Sequence, residues 1–197
     1  MTTSVRLVVI ALSVAPMAQV ATRVQPGSSS QPSCVVAHNW VQTHWDALPT
    51  SYDAYTAYPV AWQKAIYAAL GPSERVSLWQ THLDRVMAIV DLTAEQRSFL
   101  ASAKESLSPI ILRADQGAAQ ELATRAEQVM GRDLTRIAFY DVGDLEKASS
   151  ASSPDCSCSS NSECAQGHIC RSGDCAVAQN CGAFHLFDCT GLCYSPE

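Results

Sequence analysis

The sequence predicts an all-α N-terminal leader domain of about five or six helices, followed by a small disulfide-rich C-terminal domain. Between residues 34 and 145, apolar residues recur at helical spacing and strand signals are nearly absent. Eight of the nine cysteines instead lie in the last fifth of the 197-residue chain. We therefore expect the first domain to fold by burial of apolar side chains and the second by cross-linking.

The composition divides the chain into five segments. A secretory signal peptide is predicted at the start, because Arg6 precedes the uncharged apolar run Leu7–Ala15 and small residues follow it. That run is too short to span a bilayer, so we expect a secreted, extracellular protein. The predicted segments are a signal peptide (1–21), a disordered linker (22–33), a helical leader or pro-domain (34–145), a flexible linker (146–155) and an eight-cysteine domain (156–197).

Prolines and a glycine delimit the first two predicted helices. The first helix ends before Pro49, and its apolar face combines Val36, Trp40, Val41, Trp45 and Leu48. The second follows Pro59 and ends at Gly71. Its core face is predicted to contain Trp62, Ile66 and Leu70.

The remaining helices are predicted by stripes and caps. Pro72 suits the first turn of a helix whose stripe is Val76, Trp79, Leu83, Val86 and Val90. Thr93–Gln96 reads TAEQ, a capping box, and the helix it starts is expected to be interrupted at Pro109. Further stripes predict a helix with Ile111, Ala114, Ala118, Leu122 and Val129, and a short last helix at LTRIAFY.

Candidate chemistry in the helical segment is sparse. No zinc-protease, nucleophile-elbow, phosphate-loop or EF-hand motif occurs there. Cys34 and His38 lie one helical turn apart and could hold a metal ion or form a thiolate pair, but two such residues are weak support. His44 and His82 are expected at the surface or in the ordinary core. We therefore predict no enzyme activity, no metal and no cofactor.

The tryptophans have two possible roles. All four of them, Trp40, Trp45, Trp62 and Trp79, fall in the helical segment. We predict that they pack in its core. A ligand groove lined by these rings is the alternative.

The final segment, residues 156–197, is called the tail below. Zinc sites favour C-x2-C pairs, and the tail contains none. Its about forty residues include few large apolar side chains, so burial alone cannot stabilise it. We predict that disulfides do, without a choice among the possible pairings. The cysteines concerned are Cys156, Cys158, Cys164, Cys170, Cys175, Cys181, Cys189 and Cys193.

Charge limits what the tail can bind. The whole chain has a net charge of −6, which excludes a basic surface for nucleic acid. The tail has one arginine and four acidic residues, so anionic lipid does not attract it by charge. Its dense apolar patch is FHLF, and we predict that Phe184, Leu186 and Phe187 contact a target-cell receptor or the membrane interior. The alternative is that a phenylalanine of this patch fills the tail's own core.

Two stretches resemble precursors of the fulvocin C bacteriocin family. The helical stretch LPTSYDAYTAYPVAWQKAIYAALGPSERVSLWQTHL, with LTAEQRSFL, resembles their upstream region. The stretch CSCSSNSECAQGHICRSGDCAVAQNCG is similar to their eight-cysteine mature peptide. The resemblance implies a secreted, disulfide-bonded antibacterial peptide released from a longer precursor, with the eight tail cysteines forming bridges and no catalytic residue.

These observations lead to two expectations of function. The first is a bacteriocin precursor, whose partners are a processing protease, an exporter and the target cell. The polar stretch KASSASSPDC, which lacks large side chains, is typical of an accessible cleavage site. The second is a secreted two-domain protein whose intact tail is a protein-binding or protease-inhibitor-like module, since NSECAQGHICRSGDC also resembles small extracellular cysteine-rich repeats.

Overall fold

The computed structural model describes residues 33–143, 158–164, 167–172 and 180–194. These residues belong to one compact unit. The predicted signal peptide, almost all of the first linker and the whole second linker lie outside the described residues, as do Cys156 and Cys175. Residues 33–143 are called the helical part below.

The helical part contains seven α-helices within the described residues, which confirms the predicted all-α class. The second of them is only five residues long. Their bounds are α1 Ser33–Thr43, α2 Tyr52–Thr56, α3 Val60–Ala69, α4 Pro72–Ile89, α5 Ala94–Leu112, α6 Gln116–Met130 and α7 Arg132–Phe139.

The described tail residues form short elements held by disulfides, as predicted for this segment. Two four-residue strands, β1 (Ile169–Ser172) and β2 (Gly191–Tyr194), pair antiparallel in a ribbon. A 3₁₀ turn precedes each strand: Asn161–Glu163 lies before β1 and Ala183–His185 lies before β2. An unassisted two-stranded ribbon is only marginally stable in water, so cross-links and packing must support this one.

Most predicted helix boundaries are confirmed. Pro72 is the first residue of α4. The Thr93 side chain accepts a bond from the Gln96 backbone, and the Gln96 side chain accepts one from the Thr93 backbone, completing the capping box of α5. The expected interruption at Pro109 is wrong, because α5 continues to Leu112. The predicted start of the next helix is wrong for the same reason: Ile111 belongs to α5, Ala114 lies between the helices, and α6 begins at Gln116. A proline this close to the C-terminus removes one backbone bond and leaves the rest of the ladder intact.

Three of the four tryptophans pack in or against the core, but the expectation for Trp45 is wrong. Trp62 and Trp79 are buried, and Trp40 packs on Trp62 with 5.1 Å between ring centroids. Trp45 is 61% exposed. The α-helix ends at Thr43 and a 3₁₀ turn follows, so Trp45 no longer lies on the face that the 3.6-residue period predicts.

The hydrophobic core lies where α4 meets its neighbours. α4 packs on α5 and α7, α6 packs on α5 and α7, and α1 packs on α3. The core continues beyond the helices, because Ala183 and Phe184 of the tail belong to the same buried cluster. Its largest fully buried side chains are Trp79, Tyr55, Tyr67, Phe139, Phe184 and Ile66.

Candidate functional site: a tail loop docked in the helical core

The tail is covalently linked to itself. Three disulfides are described, Cys158–Cys170, Cys164–Cys193 and Cys181–Cys189, closing loops of 12, 29 and 8 residues. By chain entropy alone, loops of these lengths contribute about 2.5 to 3.6 kcal/mol each, and less in sum because they overlap. Each of the three bridges joins two tail residues, so none of them attaches the tail to a helix.

Two of these bridges lie side by side. The sulfur atoms of Cys158, Cys164 and Cys170 all lie within 4.8 Å of one another. Zinc binds thiolates, and these sulfurs are instead bonded in disulfides. Their proximity therefore reflects two stacked cross-links under the β-ribbon.

The two strands of the ribbon approach each other very closely at Gly191. Cys170 faces Cys193, and Ser172 faces Gly191. A Cβ on Gly191 would lie 2.2 Å from the Arg171 carbonyl oxygen, closer than atoms can approach. Only glycine fits there.

The loop of residues 180–189, called the docked loop, is a small ring closed by Cys181–Cys189. Within it, the backbones of Cys181 and Phe187 exchange two hydrogen bonds of 2.8 Å. Four residues have left-handed backbones: Asn180 (φ 67°), Gly182 (φ 72°), Phe184 (φ 56°) and His185 (φ 57°). Such a backbone is uncommon for phenylalanine and costs about 1–2 kcal/mol, so the packing of the loop must offset it.

Phe184 is the side chain that anchors the docked loop. It is fully buried. Its ring meets Trp79 of α4 edge to face at 5.3 Å between centroids, and Phe139 of α7 at 5.0 Å. Such aromatic pairs add about 0.5–1.5 kcal/mol beyond the area they bury. The tail thus contributes a central residue to the core of the helical part.

A buried hydrogen-bond chain fixes the backbone at this anchor. The Tyr67 hydroxyl of α3 donates to the Phe184 carbonyl oxygen at 2.8 Å and accepts from Trp79 Nε1 at 3.2 Å. Burial raises the pKa of Tyr67 well above its ordinary value. The hydroxyl therefore remains protonated and available as a donor.

His185 forms the adjacent contact. It is buried, with edge-to-face ring contacts to Tyr67 at 5.0 Å and Trp79 at 5.3 Å. Its Nε2 lies 3.0 Å from the Tyr140 carbonyl oxygen and must carry the proton that is donated there. Burial, and secondarily Lys64, lower the pKa of His185 to about 3, so the ring is neutral at physiological pH.

A second buried histidine, His82, also meets the Trp79 ring edge to face, with 5.5 Å between ring centroids. His82 Nε2 donates to the Ile137 carbonyl oxygen at 2.8 Å, and its Nδ1 lies 2.9 Å from the Tyr52 hydroxyl. Burial lowers the pKa of His82 to about 4. His82 is therefore a neutral core residue, one of the two roles expected for it, whereas His44 is exposed.

Arg132, at the start of α7, binds the tail away from the docked loop. Its guanidinium donates to the carbonyl oxygens of Asn161, Cys164 (3.2 Å) and His168 (3.3 Å). Glu163, in the same turn, accepts a bond from the Gly182 amide at 2.6 Å. Arg132 thus binds the 3₁₀ turn, the residue after it and the residue before β1, and Glu163 links the turn to the docked loop.

Three further polar contacts surround the docked loop. Lys64 Nζ lies 3.0 Å from the Cys181 sulfur, and the Lys64 carbonyl accepts from the Asn180 side chain at 2.9 Å. Gln116 of α6 donates to the Leu186 carbonyl at 2.7 Å. Residues of α3, α4, α6 and α7 therefore all hold the same loop.

The residues predicted to contact a target lie in this site. Phe184 is buried, and Leu186 and Phe187 are half-buried against the same core. In this conformation their partners are the helices of this chain. The alternative, that a phenylalanine fills the tail's own core, differs from the structure, in which Phe184 packs in the core of the helical part. Of the Cys34–His38 pair, only the partly buried His38 has a described side chain.

Sequence reasoning missed most of this site. Trp79 is predicted correctly as a core residue, but no pattern connects it with Phe184. Tyr67 and Arg132 belong to no motif. The one available signal is FHLF itself, since a dense apolar patch in a tail with little core requires a partner.

Comparison with protein-family models, with curated proteins and with solved structures found no match for this chain. The resemblance to fulvocin C precursors therefore stays a prediction.

Within the described part of the chain, none of the helices has the length and hydrophobicity needed to cross a membrane.

Proposed function

We propose that the chain is a secreted precursor of a disulfide-stabilised antibacterial peptide, which is released from the C-terminus. One observation carries the proposal: each of the three described bridges joins tail to tail. A peptide cut from the chain upstream of Cys156 would keep these cross-links. The helical part would be lost without breaking any of them.

The cross-links explain how such a peptide keeps its shape after release. The described tail has little core of its own, and its largest buried side chain, Phe184, packs into the helical part. Disulfides restrict the unfolded chain and require no core. They also persist in an extracellular medium.

The apolar patch supports the same function. Phe184, Leu186 and Phe187 would become available to a receptor or a membrane interior once the helices are removed. In the precursor these side chains pack on the helical part. The precursor is therefore expected to be much less active than the released tail.

Mass spectrometry of the culture medium tests the proposal. Spectra taken before and after reduction give the ends of each secreted species and its number of disulfides. We expect a peptide of about forty residues that starts near Cys156 and gains two mass units per bridge on reduction. Fractions that contain it should inhibit the growth of indicator bacteria, and the same fractions after reduction and alkylation should not. Finding only the intact mature protein, in fractions without growth inhibition, would reject the proposal.

A second candidate function is that of an intact binding module. It is favoured by the face of the β-ribbon that docking leaves open, where Ile169 and Tyr194 are 37% and 44% exposed. Arg171 lies over the Tyr194 ring at 5.8 Å. An aromatic ring beside an arginine is typical of protein-binding surfaces. A single secreted species with the tail attached, whose protein binding is lost in Tyr194→Ala, would support this function.

A further inference from the structure

The contact between the tail and the helical part resembles a protein interface. At its centre is a fully buried aromatic anchor, Phe184. Around the centre are half-buried residues such as Leu186 and polar contacts such as that of Gln116. Stable protein–protein interfaces have the same organisation, in which a few buried aromatic and arginine residues contribute most of the binding free energy.

The contact has two separate points of attachment. The first is the docked loop, held by Tyr67 and Trp79. The second is the turn at Asn161–Glu163, where Arg132 donates to the carbonyls of Asn161 and of Cys164, the residue that follows the turn. Because Glu163 also accepts a hydrogen bond from the Gly182 amide, the two points of attachment are connected within the tail.

The docked loop has an unfavourable backbone, which its own disulfide ring and its contact with the helices both support. Phe184 and His185 are consecutive left-handed residues without glycine. Consecutive unfavourable backbones persist only where surrounding contacts fix them. In this conformation the Phe184 ring is fully buried against Trp79 and Phe139 of the helical part.

We propose that the helical part binds the docked loop tightly enough to retain the tail after the linker is cut, so that cleavage alone does not release the peptide. This inference rests on the proposed function for its biological meaning, but the binding itself can be measured independently. The partner of the helical part is a defined segment of the same chain. Release of the tail then requires two successive steps, cleavage of the linker and dissociation of the docked loop from the helical part.

The test uses the full chain with a site-specific protease sequence inserted after Ser149, within the predicted linker. All variants also carry Cys34→Ser, which removes the one cysteine outside the tail. After cleavage, the protein is analysed by size-exclusion chromatography at about 1 µM, a concentration at which a complex with a lower Kd stays associated. We expect the two fragments to elute together. Separate elution of the tail from the unaltered interface would overturn the inference.

Tyr67→Phe and Tyr55→Phe form a matched pair. Tyr67→Phe removes the hydroxyl that donates to the tail, with almost no change in volume. Tyr55→Phe removes a similar buried hydroxyl, which donates to the Gln63 carbonyl within the helical part. We expect the first to raise the Kd of the cleaved complex roughly 10- to 100-fold, and the second to leave it within about 3-fold. Equal effects of the two variants would overturn the role assigned to the docked loop.

Growth inhibition separates failure of this inference from failure of the proposed function. If both are correct, cleaved Tyr67→Phe protein inhibits bacteria at a lower concentration than cleaved Tyr55→Phe protein. If the tail binds as expected but the separated tail inhibits no indicator strain, the proposed function fails and the interface stands. If the tail inhibits growth but leaves the helical part at once, the inference fails and the proposed function stands.

Discussion

Removal of the Phe184 ring tests whether the tail is part of the core of the whole protein. The ring is fully buried between Trp79 and Phe139. Truncation of a buried phenylalanine to alanine typically costs about 3–5 kcal/mol, because apolar transfer is lost and a cavity remains. We therefore expect Phe184→Ala to lower the free energy of unfolding of the intact chain by about that amount.

At this position we expect the usual stability order of alanine and glycine variants to be reversed. Glycine is normally more destabilising than alanine in a folded chain. At φ 56° alanine keeps the left-handed strain, whereas glycine removes it. Phe184→Gly should therefore be more stable than Phe184→Ala, by up to about 1 kcal/mol.

Guanidinium denaturation of the oxidised protein, followed by tryptophan fluorescence, measures both differences. Trp79 contacts the substituted ring and reports on it directly. Ile169→Ala is the control, because Ile169 lies on the exposed face of β1 and its truncation should cost less than about 1 kcal/mol. If Phe184→Ala is as mild as the control, or if the glycine variant is the less stable of the two, the docking described here is wrong.

Three further predictions concern pH, a turn and a cap. Acid should destabilise the fold, because burial lowers the pKa of His82 to about 4 and that of His185 to about 3, from 6.5. The histidine contribution is then full above pH 6.5 and falls as the pH drops, by up to about 2.7 kcal/mol per histidine at pH 4.5. Burial raises the pKa of Asp141 to about 6, and its protonation offsets part of this fall. Denaturation at each pH measures the net loss, which a flat profile would contradict. Gly182→Ala should cost about 2–4 kcal/mol of stability, since the added Cβ would lie 2.2 Å from the Phe187 ring. Gly167→Ala, also at positive φ but in open space, should cost about 1 kcal/mol. Thr93→Ala should lower the thermal midpoint by removing a cap worth about 1 kcal/mol, and Thr93→Ser should restore it.

The helices and their ends follow from local sequence signals. Three such signals are found as predicted: Pro72 at the start of α4, the capping box at Thr93 and the apolar stripe through Trp79. Each acts over a few residues. Two local signals give wrong predictions, both near the end of a helix. Pro109 is tolerated because α5 loses one bond near its end, and Trp45 is exposed because the helix ends before it.

The sequence by itself determined an all-α segment followed by a tail that cysteines must stabilise, because helical periodicity and cysteine spacing are local properties of the chain. Only the tertiary structure decided where the tail's apolar patch goes. The hydrogen bond between Tyr67 and Phe184 joins residues 117 positions apart, and no periodicity extends over that separation. The left-handed backbone at Phe184 could not be predicted either, because the residue is not a glycine. Contacts with residues distant in the sequence support that conformation.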